Sequence, residues 1–413
     1  MSAVSEPIAL YIHIPFCRTK CPYCDFNTYA GILPLLPAFL EALSLELELW
    51  GEALGCLPVT SVFLGGGTPS LLSPEQMGRL LGVVGKTFCV QEGAEVTAEA
   101  NPDDVTRQRM GRFLRAGVNR LSLGVQALDD GLLRLLGRRH DAAGAARAYH
   151  EARAAGFTNI NLDLMYGLPH QTLRQWRETL ARAMALGPEH LSCYCLALED
   201  GTPMARWVAD GRLPAPNSDL AAEMYEGAEE ALAEAGYRHY EISNWARPGW
   251  ESLHNLTYWR NGPYLGVGPG AHSFLGGFRF AIVRSPRQYI RRIHHWTRRD
   301  GSPGSFPPEG APLEEVERID TGTELAETMI LGLRLEEGVS CGAVARRLGM
   351  DPLQAYGPVI SDLREVGLLE AVEREGDTVL CLTRRGRRWA PKRDSRDLGP
   401  NHWRWRVGVS ART

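Results

Sequence analysis

Apolar residues along the first two thirds of the chain fall into two alternating patterns. Short runs such as Ile8 to Ile14 and Thr60 to Leu64 are apolar almost throughout, which predicts strands buried within a sheet. Pro37 to Trp50 and Pro74 to Lys86 instead carry apolar residues three and four apart and predict helices. The alternation continues with strands near Glu95 to Ala98, Arg120 to Leu123, Asn159 to Met165 and His190 to Leu198. Helices fall near Thr106 to Ala116, Ala142 to Ala155, Thr172 to Leu186 and Ser218 to Ala235. Six strand-helix units predict an α/β fold around a parallel sheet, either a barrel or part of one.

Past about Arg298 the pattern changes. Residues 300–312, DGSPGSFPPEGAP, are rich in Pro, Gly and Ser and read as a linker. Beyond it, Glu324 to Glu336, Cys341 to Leu348 and Pro352 to Gly367 predict helices, and Glu370 to Thr383 a hairpin turning at Gly376-Asp377. Together they suggest a small winged-helix-like α+β module. From Arg384 to Thr413, ten Lys or Arg stand against two Asp, with Trp389, Trp403 and Trp405 among them. Such basic tails are most often solvated, with contact to an anionic partner the alternative. The expected organisation is a core over 1–299, a linker over 300–312, a module over 313–390 and a basic tail over 391–413.

The chain's 413 residues at roughly 150 per domain agree with two or three domains. Its net charge of −4 provides no global field to attract a phosphate backbone, so no nucleic acid is expected as the main partner. The richest apolar stretch, Ile32 to Trp50, is interrupted by Pro34, Pro37, Glu41, Glu46 and Glu48, so no transmembrane segment is expected. No basic region precedes Ile8 to Ile14 as a secretory signal requires, and a cytoplasmic, reducing location is expected. In that setting cysteines bind metal or do chemistry more often than they form disulfides.

Three of the nine cysteines, Cys17, Cys21 and Cys24, crowd into eight residues just past the first strand. A structural zinc site needs four ligands, and no second CxxC pair is present to complete one. Three thiolates suit a [4Fe-4S] cluster with one iron left open to a reactant. Zinc with a distant fourth ligand, and three incidental thiols, are the weaker readings. Other polar residues gather at the same carboxyl ends of the strands: the Gly65-Gly66-Gly67 run, Glu99, Gln126 and Asp163. In a parallel barrel, loops at that end build the reaction site. Gly85-Lys86-Thr87 does not extend to a phosphate-binding loop, because Leu80 stands where the first glycine must be.

Tyr11 to Cys17, Cys21-Pro22-Tyr23-Cys24-Asp25-Phe26, Gly65-Gly66-Gly67-Thr68-Pro69, Glu99, Leu123 to Gln126, Arg138 and Asp163 to Pro169 follow one another in a specific order. That string resembles the radical S-adenosylmethionine superfamily, in the branch that holds the oxygen-independent coproporphyrinogen dehydrogenases and the haem chaperones, from Tyr11 to about Pro391. The resemblance implies a partial, six-unit TIM-like barrel with a small C-terminal domain. It implies a [4Fe-4S] cluster on Cys17, Cys21 and Cys24, and S-adenosylmethionine contacted by Tyr11, Tyr23, Gly66, Gly67, Thr68, Glu99, Gln126, Arg138, Asp163, Ala197 and His272. Phe26 stands where the dehydrogenases carry a further cysteine, and only ten residues precede Tyr11 where they carry a longer segment. Both differences point toward the chaperones, which bind haem and pass it to haem-accepting respiratory proteins. His254, with Tyr258 and Trp259 in HNLTYW, is the expected haem contact. An electron donor such as a flavodoxin or ferredoxin is implied if radical chemistry occurs, and a homodimer is left open. The alternative is a coproporphyrinogen III dehydrogenase or a radical methyltransferase.

Overall fold

The computed structural model describes residues 6–296 and 306–389. The basic tail over 391–413 and residues 300–305 of the expected linker lie outside the described residues. Six strands lie side by side in sequence order: β1 (Ile8–Ile14), β2 (Pro58–Gly66), β3 (Cys89–Ala100), β4 (Arg120–Gln126), β5 (Ile160–Tyr166) and β6 (His190–Cys195). Every neighbouring pair among them is parallel. Helices Leu36–Leu54, Pro74–Thr87, Arg107–Arg115, Ala142–Ala155, Leu173–Leu186 and Ser218–Glu234 alternate with these strands. Local sequence sets their ends. Ser73 with Gln76 and Thr172 with Gln175 form capping boxes that satisfy the first helical N–H groups, and Gly156 takes the left-handed conformation that stops Ala142–Ala155.

Strand register sorts side chains into two layers. Ile8, Leu10, Ile12 and Ile14 of β1 are fully buried in one core with Phe39, Leu43, Leu47 and Trp50 of the first helix. The opposite face is polar. Ser61 stands beside Glu95, Thr97 beside Arg120, and Glu99, Ser122, Asn161 and His190 occupy one row across β3 to β6. The apolar layer supplies the helix packing, and the polar layer forms the other face of the sheet.

The sheet continues beyond the six predicted strands. Next to β6 lie β8 (Asn244–Ala246) and β7 (Arg238–Glu241), both antiparallel. On the far side of β1 comes β9 (Tyr264–Val267), parallel to it, then β10 (His272–Leu275), β11 (Phe278–Ile282) and β12 (Leu313–Arg318) in antiparallel order. The twelve strands form one sheet with β12 and β7 at its ends.

This corrects the boundary expected at 313, because β12 pairs with β11 and belongs to the core. The module starts after it, where Asp320 caps helix Thr321–Gly332. It packs that helix with Cys341–Leu348 and Pro352–Glu365 against a three-stranded sheet, around Leu325, Met329, Val344, Ile360, Leu369 and Leu380. Arg384 and Arg388 tie it to the core through Glu229, Glu230 and Glu226. A second correction concerns Cys56 and Cys89, which form a disulfide. Parallel pairing of β2 and β3 sets Pro58 beside Cys89 and brings the two cysteines together across a sequence separation of 33. No helix among the described residues is long and apolar enough to cross a membrane.

Candidate functional site

Beyond Ile14 the chain turns at Pro15 into the cysteine loop. Phe16–Cys17 pairs with Tyr29–Ala30 and closes it, and Lys20 Nζ ties it internally by donating to the carbonyls of Phe26 (2.9 Å) and Thr28 (3.3 Å). His13, buried on β1, anchors the loop from beneath. Its Nε2 donates to the Asn27 carbonyl at 3.1 Å and its Nδ1 accepts from the Tyr11 hydroxyl at 3.0 Å. Burial lowers its pKa to about 4, which keeps the ring neutral and suits that tautomer.

The glycine run binds the loop through backbone. Gly67 N–H donates to Ile14 O and Thr68 N–H to Phe16 O, both at 2.9 Å. A Cβ on Gly67 would lie 2.5 Å from Ile14 O, and one on Gly66, whose φ is +99°, would strike the His13 ring. The glycines are therefore required first by the protein's own close packing, where the sequence suggested only ligand approach. Glu99 accepts from Gly66 N–H at 3.0 Å.

Each cysteine sulfur has a polar neighbour. Thr68 Oγ1 donates to Cys17 Sγ at 3.5 Å, Arg138 Nη1 donates to Cys21 Sγ at 3.6 Å, and Thr28 Oγ1 lies 3.9 Å from Cys24 Sγ. Burial raises the Cys17 thiol and pushes Cys24 up to about 11, partly opposed by these hydrogen bonds. Asp163 accepts from Ser122 Oγ at 3.0 Å and Asn161 Nδ2 at 2.9 Å. Gln126 is held at a φ of +66°, with its buried Oε1 lacking a hydrogen-bond partner.

These residues converge on one pocket at the carboxyl ends of β1 to β6. Its wall includes Cys17, Cys21, Cys24, Tyr23, Gly66 and Gly67, and also Thr68, Glu99, Gln126, Arg138 and Asp163. Lys20, Asn101, Ser122 and Tyr194 line it as well, and sequence reasoning missed them. The period of two along each strand would have found Ser122 on the face of Gly124, and Tyr194 on the face of Ser192. Tyr11, Ala197 and His272 do not reach this wall. Tyr11 acts behind it, on His13. Ala197 lies in the segment after β6, and His272 lies on β10, where burial first and then Arg284 lower its pKa to about 3.

The HNLTYW segment stands elsewhere. His254 is 1 % exposed, with Nδ1 2.9 Å from Ser61 Oγ and Nε2 2.9 Å from Tyr258 OH. Glu95 caps its helix, accepting from the N–H groups of Leu253 and His254 and from Ser252 Oγ. Trp259 is buried beneath the Arg334 guanidinium. The expectation of His254 as an open haem ligand is corrected, since both ring nitrogens are already engaged.

Three sulfurs with adjacent donors, an unsatisfied amide oxygen and a close-packed glycine wall suit a thiolate-held cluster and a polar ligand. Among the described residues, no group of three or more His, Cys, Asp or Glu is drawn together around a single-ion site. The pattern of the Radical SAM superfamily matches residues 11–183, and that of the HemN C-terminal domain residues 320–389. "Heme chaperone HemW" of Bacillus subtilis is 37% identical over 378 residues, 91% of this chain and 95% of that one. The protein of the same name from Mycobacterium tuberculosis is 38% identical, with 92% of each covered. A bovine relative, "Radical S-adenosyl methionine domain-containing protein 1, mitochondrial", is 40% identical, covering 88% of this chain and 82% of its own. Coproporphyrinogen III oxidase (HemN) of Escherichia coli shares the fold, with a TM-score of 0.78 at 24% identity over 94% of this chain and 89% of that one.

Proposed function

The chain belongs to the HemW family of the radical SAM superfamily, and on that premise we propose that it is a haem chaperone, binding haem and handing it to respiratory haem proteins in the cytoplasm. One observation carries this reading: the likeness to proteins of that name runs through the core and the C-terminal module alike.

The superfamily implies a [4Fe-4S] cluster and S-adenosylmethionine. In the proposed site Cys17, Cys21 and Cys24 hold the cluster as thiolates and leave one iron without a protein ligand. Gly66, Gly67 and Thr68 form the adjoining wall. Gln126 brings its unsatisfied Oε1, and Asp163, oriented by Ser122 and Asn161, a fixed negative charge for the polar groups of S-adenosylmethionine. When bound, cluster and cofactor supply one-electron chemistry, driven by a donor of the flavodoxin or ferredoxin kind. His13 keeps the loop in register, and the Gly67 and Thr68 backbone bonds fix the two loops relative to each other.

Anaerobic protein reconstituted with iron and sulfide should bind haem saturably, at a fixed ratio per chain, with a shift of the Soret band. It should release that haem to an apo respiratory haem protein. Incubation with coproporphyrinogen III, reductant and S-adenosylmethionine should yield no vinyl product. Turnover of the porphyrinogen, or a Soret titration that never saturates, would overturn the assignment.

A further inference from the structure

Residues far apart in the chain form one hydrogen-bonded bracket across the cysteine loop. Arg138 Nη1 donates to Cys21 Sγ, while its Nη2 is held by Asn101 Oδ1 and the Gly124 carbonyl, both at 2.6 Å. Asn101 Nδ2 donates to Thr68 Oγ1 at 3.1 Å, and Thr68 in turn donates to Cys17 Sγ. The guanidinium is thus aimed by two short bonds on one arm, and the other arm reaches the sulfur. The planar fork of arginine allows this, and the flexible ammonium of lysine does not. Thr28 completes the set at Cys24.

We propose that this Arg138–Asn101–Thr68 bracket sets the reduction potential of the cluster, with Arg138 the main determinant. The inference rests on Cys17, Cys21 and Cys24 being cluster ligands. Reduction adds one electron, and the added negative charge spreads onto the thiolates. A hydrogen bond to a ligand sulfur, and a fixed positive charge in a partly water-excluded site, stabilise that more negative state and raise the potential. Arg138 provides both at Cys21. Thr68 provides the first at Cys17, and Asn101 holds the two donors in register. Arg138 is therefore a tuning residue, a role separate from any contact it makes with a bound cofactor.

The test uses full-length protein reconstituted anaerobically, as parent, Arg138→Met, Arg138→Lys and Asn101→Ala. Iron and sulfide are counted, and each sample is titrated stepwise with dithionite, one electron per cluster, followed by electron paramagnetic resonance. The titration is run first without S-adenosylmethionine and then with it. Arg138→Met should shift the reduction equilibrium toward the oxidised cluster about tenfold, or 59 mV lower for a one-electron couple, already without the cofactor. Arg138→Lys should recover part of that loss, and Asn101→Ala, which leaves the arginine present but unaimed, should shift the same way by less. A potential in Arg138→Met equal to the parent's, or a shift seen only with S-adenosylmethionine present, overturns the proposal. Should Arg138→Met fail to assemble a cluster, Asn101→Ala decides, and an unmoved potential there is equally fatal. Failure of the parent itself to take up about four irons would instead overturn the reading of the cysteines.

Discussion

Replacing Glu46 by Gln should stabilise the protein more at pH 8 than at pH 5.5. Glu46 lies on the first helix with no exposed surface, and no cation pairs with it among the described residues. Its carboxyl accepts from the Tyr289 hydroxyl at 2.5 Å, the Gly268 N–H at 2.8 Å and Trp50 Nε1 at 3.4 Å. Burial raises its pKa from the ordinary 4.5 to about 7, against the opposing pull of those bonds. Between these values the folded protein keeps a proton that the unfolded chain has lost. Stability therefore falls as pH rises from about 4.5 to about 7 and stays lower above that. At 1.36 kcal/mol per pH unit the full loss is about 3 kcal/mol, of which about 2 kcal/mol accrues above pH 5.5. The amide is neutral throughout, and its oxygen can still accept from Gly268. It loses an acceptor toward Trp50, at a cost of about 1 kcal/mol independent of pH. The difference between variant and parent should thus widen by about 2 kcal/mol between pH 5.5 and 8. Urea unfolding of cluster-free protein at the two pH values measures it, and taking the difference cancels every other titrating group. A constant difference would refute the reasoning.

His140, His239 and His254 are held neutral by burial, at about 4, 4 and 3. The unfolded chain takes up protons on them below about 6.5 while the folded protein does not, so their contribution is complete above that pH and is lost as pH falls toward 4. Urea midpoints should drop steeply from pH 7 to pH 5, and a flat profile would count against this. His254→Ala should cost roughly 1–3 kcal/mol by stranding Ser61 and Tyr258, read by thermal unfolding. Unchanged melting together with lost haem binding would instead mean that the helix opens to expose the ring. Gly67→Ala should separate the glycine run from the cysteine loop, seen as loss of retained iron after reconstitution, because its Cβ would meet two carbonyl oxygens. Changing Cys17, Cys21 and Cys24 together to Ala should reduce bound iron from about four per chain to near none. Iron retained in that variant would place the cluster elsewhere.

The six strand-helix units were legible because each parallel strand has an apolar outer face and several helices carry their own end signals, Ser73 with Gln76 at a start and Gly156 at a stop. The outer strands were not. β7 to β11 are three to five residues long, too short to show a period, and β9 pairs with β1 across some 250 positions. β12, Leu-Glu-Glu-Val-Glu-Arg, is largely exposed at the edge, so its sequence lacks the apolar run that announces a strand. In the site, the cysteines and the glycine run stood out by spacing alone. Asn101 and Lys20 did not, because their parts depend on where Arg138 and the Phe26 carbonyl come to lie. The Cys56–Cys89 pair was hidden for the same reason, since only the β2–β3 register brings it together.

The polar layer also explains why so many candidate residues could be read two ways. From Asp163 a hydrogen-bonded series runs to Asn161, on to His190 at 2.7 Å, Tyr240 at 2.8 Å and Ser252 at 3.4 Å, and ends at Glu95 under the Leu253–Trp259 helix. A single bond of this kind contributes about 1 kcal/mol net, whereas a buried group left without its partner costs more, so the series is favourable only when complete. Residues in its inner part, His190 included, are satisfied by one another, and His254 beside it is satisfied by Ser61 and Tyr258, so neither needs a ligand to account for its burial. Those at its outer end, where Asp163, Gln126 and Arg138 meet the cysteine loop, face a pocket that the protein's own side chains leave open. Position along the strand, more than residue type, therefore divides structural polarity from chemical polarity: the pocket-lining residue lies carboxyl-terminal to the structural one, Glu99 beyond Glu95 on β3, Ser122 beyond Arg120 on β4 and Asp163 beyond Asn161 on β5.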